Sequence, residues 1–177
     1  MCEQARNQIR RGEPSSYATR DDFINVFNEE RNELYQLSLL LTGDHEKAER
    51  CLVAGIENCV NQNRVFKEWA RSWAKRIIVE NAIRELKPRP SIRSSSSVAT
   101  VFSHREELSG SGGHFEVDAV LGLGDFERFV FVMSVLEHYS QHECALLLGC
   151  SVVEIRESRL HALEQLASSG QTVSFAL

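Results

Sequence analysis

The chain has 177 residues, 42% of them hydrophobic and 25% charged, with a formal net charge of −5. That length suits one ordinary domain or two small ones, and the composition is that of a globular rather than a fibrous or disordered chain. No run approaches the ~20 apolar residues of a membrane span, the opening MCEQARNQIRRGEPSS lacks the apolar core of an export signal, and five cysteines without a CxxC fit a reduced cytoplasm better than a disulfide framework.

Residues 1–20 are polar and Arg-rich and read as a loose arm. Residues 21–86 read as helical throughout. Phe23, Val26, Phe27, Leu34, Leu37 and Leu41 keep one helical stripe, interrupted at Glu30. Gly43 is placed to end that helix and Asp44 to cap the next. Ala48, Cys51, Leu52, Gly55, Ile56, Cys59 and Val60 repeat at helical spacing, so Cys51 and Cys59 read as small core residues. Phe66, Trp69, Ala70, Trp73, Ala74, Ile77 and Ile78 form a third apolar face, and Pro88 disfavours helix at Lys87.

Residues 87–117 are rich in Ser, Gly and Pro and read as a flexible linker, whose apolar run Val98–Phe102 can dock locally. Residues 118–168 form a second helical block, and residues 169–177 a tail. Phe126, Phe129, Val130, Met133 and Leu136 predict one helix. Two capping boxes follow, Ser140 with Glu143 and Ser151 with Glu154, with Gly149 between them. Two capped helices around a glycine turn predict a helix-turn-helix. The expected fold is therefore all-α, two small helical domains joined by a flexible linker, the second with a helix-turn-helix.

Chemistry-bearing motifs are few. No GxSxG, Walker loop, GxGxxG or HExxH occurs. His138, His142, Cys144 and Cys150 cluster, but their spacing fits no standard zinc finger. No catalytic residue, metal or cofactor is expected. Lys67, Arg71 and Lys75 lie four apart, with Arg64 and Arg76 nearby. Such a stripe suits phosphates, and an exposed aromatic beside it can stack on an unpaired base; it equally suits a solvated face over a Trp-filled core. The charge distribution cuts the other way. Residues 118–177 hold Arg128, Arg156 and Arg159 against eight acids, which opposes phosphate neutralisation where the helix-turn-helix lies. The helix pair thus reads either as a DNA-reading motif or as part of a helical bundle.

The order of these parts resembles the extracytoplasmic-function (ECF) sigma factors of RNA polymerase. The segment GLGDFERFVFVMSVLEHYSQHECALLLGCSVVEI is similar to that family's promoter-binding domain at Leu123, Arg128, Val130, Phe131, Glu137, Ser140, Glu143, Ala145, Leu148, Gly149 and Ser151. LYQLSLLLTGDHEKAE (Leu34–Glu49) and FKEWARSWAKR (Phe66–Arg76) resemble its polymerase-binding and promoter-melting helices. The resemblance covers residues 21–86 and 118–166. It implies a dissociable polymerase subunit whose first domain docks on core RNA polymerase and helps open the promoter. The helix-turn-helix then reads promoter DNA, and an anti-sigma factor is a further implied partner. Implied DNA contacts are Arg71, Lys75 and Arg76 in the first domain, and Ser151, Val153, Arg156 and Arg159 in the second.

Four departures from the family pattern stand out. Arg50 to Ala54 replace the Gln-Glu pair that grips polymerase, Arg76 stands for an Asn, and Gly124 stands for a Pro. The segment Ile155–Leu160 is one residue out of step and adds Glu157 to the groove-facing helix. These motivate an alternative, a sigma-fold protein-interaction module without DNA reading.

Overall fold

The computed structural model describes residues 16–61, 64–90 and 117–168, and among these it is all helical. Most of the expected arm, most of the linker with its Val98–Phe102 run, and all of the tail lie outside the described residues.

The first block holds four helices. In α1 (Arg20–Glu29), Thr19 and Asp22 form a capping box: the Thr19 N–H donates to the Asp22 carboxylate at 2.7 Å, and the Asp22 N–H donates back to the Thr19 hydroxyl at 3.3 Å. The sequence predicts one helix from here to Gly43. The chain instead breaks at Glu30 (φ −104°, ψ 19°) before α2 (Arg31–Thr42). The break falls on the residue that interrupts the apolar stripe. Glu30 is only 9% exposed, and its Oε1 accepts from Arg71 at 2.6 Å, so a carboxylate facing the core has its counter-charge.

α2 ends as expected, on left-handed Gly43 (φ 67°), whose N–H donates to the Leu39 carbonyl. Asp44 accepts from the Lys47 N–H at 2.8 Å and caps α3 (His45–Asn61). A 3₁₀ turn (Lys67–Trp69) leads into α4 (Ala70–Leu86), which stops at Lys87 (φ 49°), next to Pro88.

Phe23, Phe27, Leu34, Leu41, Cys51, Cys59, Ala74, Ile77 and Ile78 fill the core of this block. Gly55 permits the close approach of α3: a Cβ there would sit 2.6 Å from Ile78 Cδ1 and 3.4 Å from the Phe27 ring. The predicted third apolar face holds from Ala70 to Ile78 but not before it. Phe66 and Trp69 are exposed, because the 3₁₀ turn breaks the helical phase that would have carried them inward.

The second block begins with α5 (Val117–Leu121) and α6 (Asp125–Phe131). The single helix expected through Leu136 changes pitch at a π-helical turn, Val132–Leu136, where Glu137 donates to the carbonyl of Val132, five residues back, at 2.9 Å. The wider turn shifts the register. Val132 and Ser134 are buried, while Leu136 is only half-buried. The Ser134 hydroxyl is satisfied by the Val130 carbonyl at 2.6 Å.

Then come α7 (Gln141–Leu148) and α8 (Val152–Ser168), joined by Gly149, Cys150 and Ser151. Both predicted capping boxes form. Ser140 N–H donates to Glu143 at 2.9 Å, Ser151 N–H donates to Glu154 at 2.7 Å, and each serine hydroxyl accepts from the N–H three residues on. Gly149 is left-handed (φ 67°) and closes α7.

The two blocks pack against each other, α5 and α6 on α2 and α7 on α4, and one apolar core runs through both. Arg128 rivets them. Its buried guanidinium donates to the Leu41 carbonyl at 3.3 Å, to the Leu123 carbonyl at 3.1 Å and to Asp125 at 2.7 Å. It thereby neutralises the negative end of α2, a helix with no basic residue in its own last turn. A Cβ at Gly43 would lie 3.2 Å from this guanidinium.

The capping boxes also set an acid limit. Asp22, Glu143 and Glu154 are each held below the ordinary carboxylate range by hydrogen bonds from the cap residue: chiefly the backbone N–H of Thr19, the hydroxyl of Ser140 and the backbone N–H of Ser151. A folded-state value below the unfolded one gives stability that is complete above the unfolded value, 4.5 for the two glutamates, and is lost as the pH falls through the lowered folded value. The melting temperature is thus expected to fall as the pH drops below 4.5. Ser140→Ala should cost about 1 kcal/mol at neutral pH and flatten this acid dependence. Thermal melts between neutral pH and pH 3 by far-UV circular dichroism check both.

Candidate nucleic-acid interface

The three cations that the resemblance implies as DNA contacts in the first block, Arg71, Lys75 and Arg76, all lie on α4, and each meets a carboxylate. Arg71 Nη2 pairs with Glu29 at 2.7 Å and Nη1 with Glu30 at 2.6 Å. Lys75 Nζ reaches across to Glu137 of the second block at 3.3 Å. Arg76 Nε bonds Glu80, one turn along its own helix, at 3.1 Å. Ahead of α4, Lys67 pairs with Asp22 at 3.2 Å. The stripe expected from spacing is thus a row of ion pairs rather than a bare positive face.

Between α4 and the segment entering α7 lies a groove of about 310 Å³, lined by Ser72, Lys75, Arg76, Glu137, His138, Tyr139 and Glu143. Its two strong bases and two carboxylates balance. The Tyr139 hydroxyl is pushed up to about 12 by burial and stays a hydrogen-bond donor. Left-handed His138 (φ 57°) carries the chain out of the π turn towards Ser140.

Beside this stripe the 3₁₀ turn displays aromatic surface. Tyr17 stacks on Phe66 with centroids 4.8 Å apart, and Trp69 meets Phe66 edge-on at 5.4 Å. Trp69 is 58% exposed. The bridge between Tyr17 and Phe66, with Ala18 donating to the Val65 carbonyl at 2.7 Å, holds the cluster in place. The Tyr17 contribution has no sequence signal, since it joins residues 49 positions apart.

In the second block, Ser151, Val153 and Arg156 are exposed near the start of α8, and Arg159 is half-exposed one turn on. Among the described residues neither arginine lies within ion-pair distance of a carboxylate, in contrast to those of α4. Ser151 is committed to its cap. Ile155, Ala162 and Leu166 hold the opposite face of α8 in the core.

The described thiols are poor nucleophiles. Burial pushes Cys51 and Cys144 up to about 11 and Cys59 to about 12, and it raises Cys150 as well, so the reactive thiolate is scarce at neutral pH. No described helix is long and apolar enough to cross a membrane.

No protein-family model matches the chain, and no curated protein matches it significantly. Two separated groups of cations, one paired and one without ion-pair partners among the described residues, and an exposed aromatic cluster are therefore what the chain itself offers as a site.

Proposed function

We propose that the chain is a divergent sigma-type subunit that binds core RNA polymerase in the cytoplasm and directs initiation at promoter DNA. The observation that carries this reading is the start of α8, where a capped helix behind a glycine turn presents Val153 and two arginines that have no ion-pair partner among the described residues. The first turns of such a helix are those that reach base edges in a major groove, and Arg is the commonest reader of guanine there.

The paired cations of α4 fit the same reading. Exposed ion pairs are worth only about 0–1 kcal/mol, so phosphates can displace Glu29 from Arg71 at little cost. Glu80 and Glu137 are part-buried and cost more to separate from Arg76 and Lys75, and Glu30 is nearly buried and would be left uncompensated. Arg71 thus has one arm to offer and one that is structural.

The aromatic cluster supplies sequence-tolerant stacking for an opened strand. Trp69→Ala is expected to leave the melting temperature nearly unchanged, because the ring is mostly in solvent. It should weaken binding of a single-stranded oligonucleotide by about 1–3 kcal/mol, checked by fluorescence anisotropy. The proposal as a whole is tested by gel filtration of the chain with purified core polymerase at low salt. Co-elution is expected, and separate elution of a folded chain would overturn it.

A further inference from the structure

The outward face of α8 is divided. Val153, Glu157, Leu160 and Glu164 are spaced four, three and four residues apart, lie on one line along the helix and are all exposed. Arg156 and Arg159 lie to one side of this line, separated from it by roughly 60–120° at 100° per residue. The stripe alternates apolar and acidic positions over about three turns, some 16 Å. Val153 is 51% and Leu160 57% exposed, and Leu146 on the neighbouring α7 is exposed as well. Among the described residues Glu157 and Glu164 make no ion pair; the only such contact on α8 is that of His161 with Glu127 at 3.9 Å.

We infer that this stripe docks an amphipathic helix of another protein, one carrying Lys or Arg between apolar residues at matching spacing. The charge pattern selects this occupant. Two carboxylates alternating with two apolar side chains repel phosphates, so a groove-bound duplex would meet like charge along the contact. A cationic helix reverses that sign at both glutamates and covers Val153 and Leu160 with its apolar residues. Residues 118–177, three Arg against eight acids, extend the same complementarity beyond the stripe. The inference shares Val153 with the promoter reading, but its test needs neither polymerase nor promoter, only the exposed face of α8. A bound helix would lie beside Arg156 and compete with DNA there.

The full chain, immobilised, is used to select from a displayed library of helical peptides about four turns long, with Leu160→Asp and Glu157→Arg/Glu164→Arg chains as counter-baits. Both variants place the change in solvent and should keep the wild-type circular dichroism spectrum. The expected peptides carry Lys or Arg three or four residues from apolar ones, and the best of them loses about thirty-fold affinity against Leu160→Asp. The double reversal should lose these peptides and enrich acidic ones. Absence of enrichment, a consensus without basic residues, or equal binding to the counter-baits would overturn the inference. So would protection of the Glu157 and Glu164 carboxyls from chemical labelling by duplex DNA, which would give the face to a groove. Failure to co-elute with core polymerase bears only on the promoter reading.

Discussion

Replacing Arg128 by Met is expected to destabilise the chain by about 3 kcal/mol and to split its unfolding into two transitions. The guanidinium is almost fully buried and donates to three acceptors, two of them carbonyls. Hydrogen bonds to a charged group contribute about 1.5–3 kcal/mol each. The loss stays at the low end of the buried-pair range because Asp125 is mostly exposed and resolvates when its partner goes. Met fills most of the volume, so the cost reports the lost charge and hydrogen bonds rather than a cavity.

The split follows from where the contacts lie. Leu41 belongs to the first block, while Leu123 and Asp125 belong to the second, so the substitution loosens the junction itself. Both tryptophans, Trp69 and Trp73, lie in the first block, so fluorescence follows that block and far-UV circular dichroism follows the whole chain. Urea unfolding of the wild type should give coincident curves; Arg128→Met should separate them. Coincident curves at an unshifted midpoint would show that Arg128 is not the rivet.

The second large effect is expected at α8. If the proposed promoter reading holds, Arg156→Ala/Arg159→Ala should lower the affinity of a complex with core polymerase for promoter DNA by at least about thirty-fold, since a well-placed Arg–base contact is worth about 1–3 kcal/mol. Stability should barely move, because among the described residues neither side chain has an ion-pair partner to lose. Lys75→Ala is the contrast. It removes a cation already shared with Glu137, and should weaken binding to all sequences alike and reduce the salt slope by about 0.9. Fluorescence anisotropy against promoter and scrambled duplexes at several salt concentrations separates the two behaviours. A double variant that binds both duplexes as the wild type does would remove α8 from the DNA interface.

Features set by residues three or four apart are legible in the sequence alone. Both capping boxes, the left-handed turns at Gly43 and Gly149, the stop at Lys87–Pro88 and the buried Cys51 and Cys59 all rest on local geometry or simple periodicity. The features that are not legible depend on distant partners or on changes of pitch. Glu30 interrupts a stripe in the sequence, but its role needs Arg71, 41 residues on. Arg128 reads as one matched position of a motif, yet its acceptor at Leu41 is 87 residues away. The π turn moves Leu136 off the buried face and brings Ser134 in, which a fixed 3.6-residue period cannot foresee. Phe66 and Trp69 fit an apolar face only if the period is carried back through a segment that is 3₁₀. At the candidate site, spacing singles out Lys67, Arg71 and Lys75, and the resemblance adds Arg76. Their carboxylates at Glu29, Glu30 and Glu137 come only with the fold, whereas Glu80 sits one turn from Arg76 at a spacing the sequence displays.

The most direct test of the central claim is run-off transcription with purified core RNA polymerase, with and without the chain, on a pool of promoter fragments. A sigma-type subunit should give transcripts with a discrete start that depend on the chain and disappear with Arg156→Ala/Arg159→Ala. Transcription no different from core enzyme alone, with the chain folded and present in excess, would contradict it.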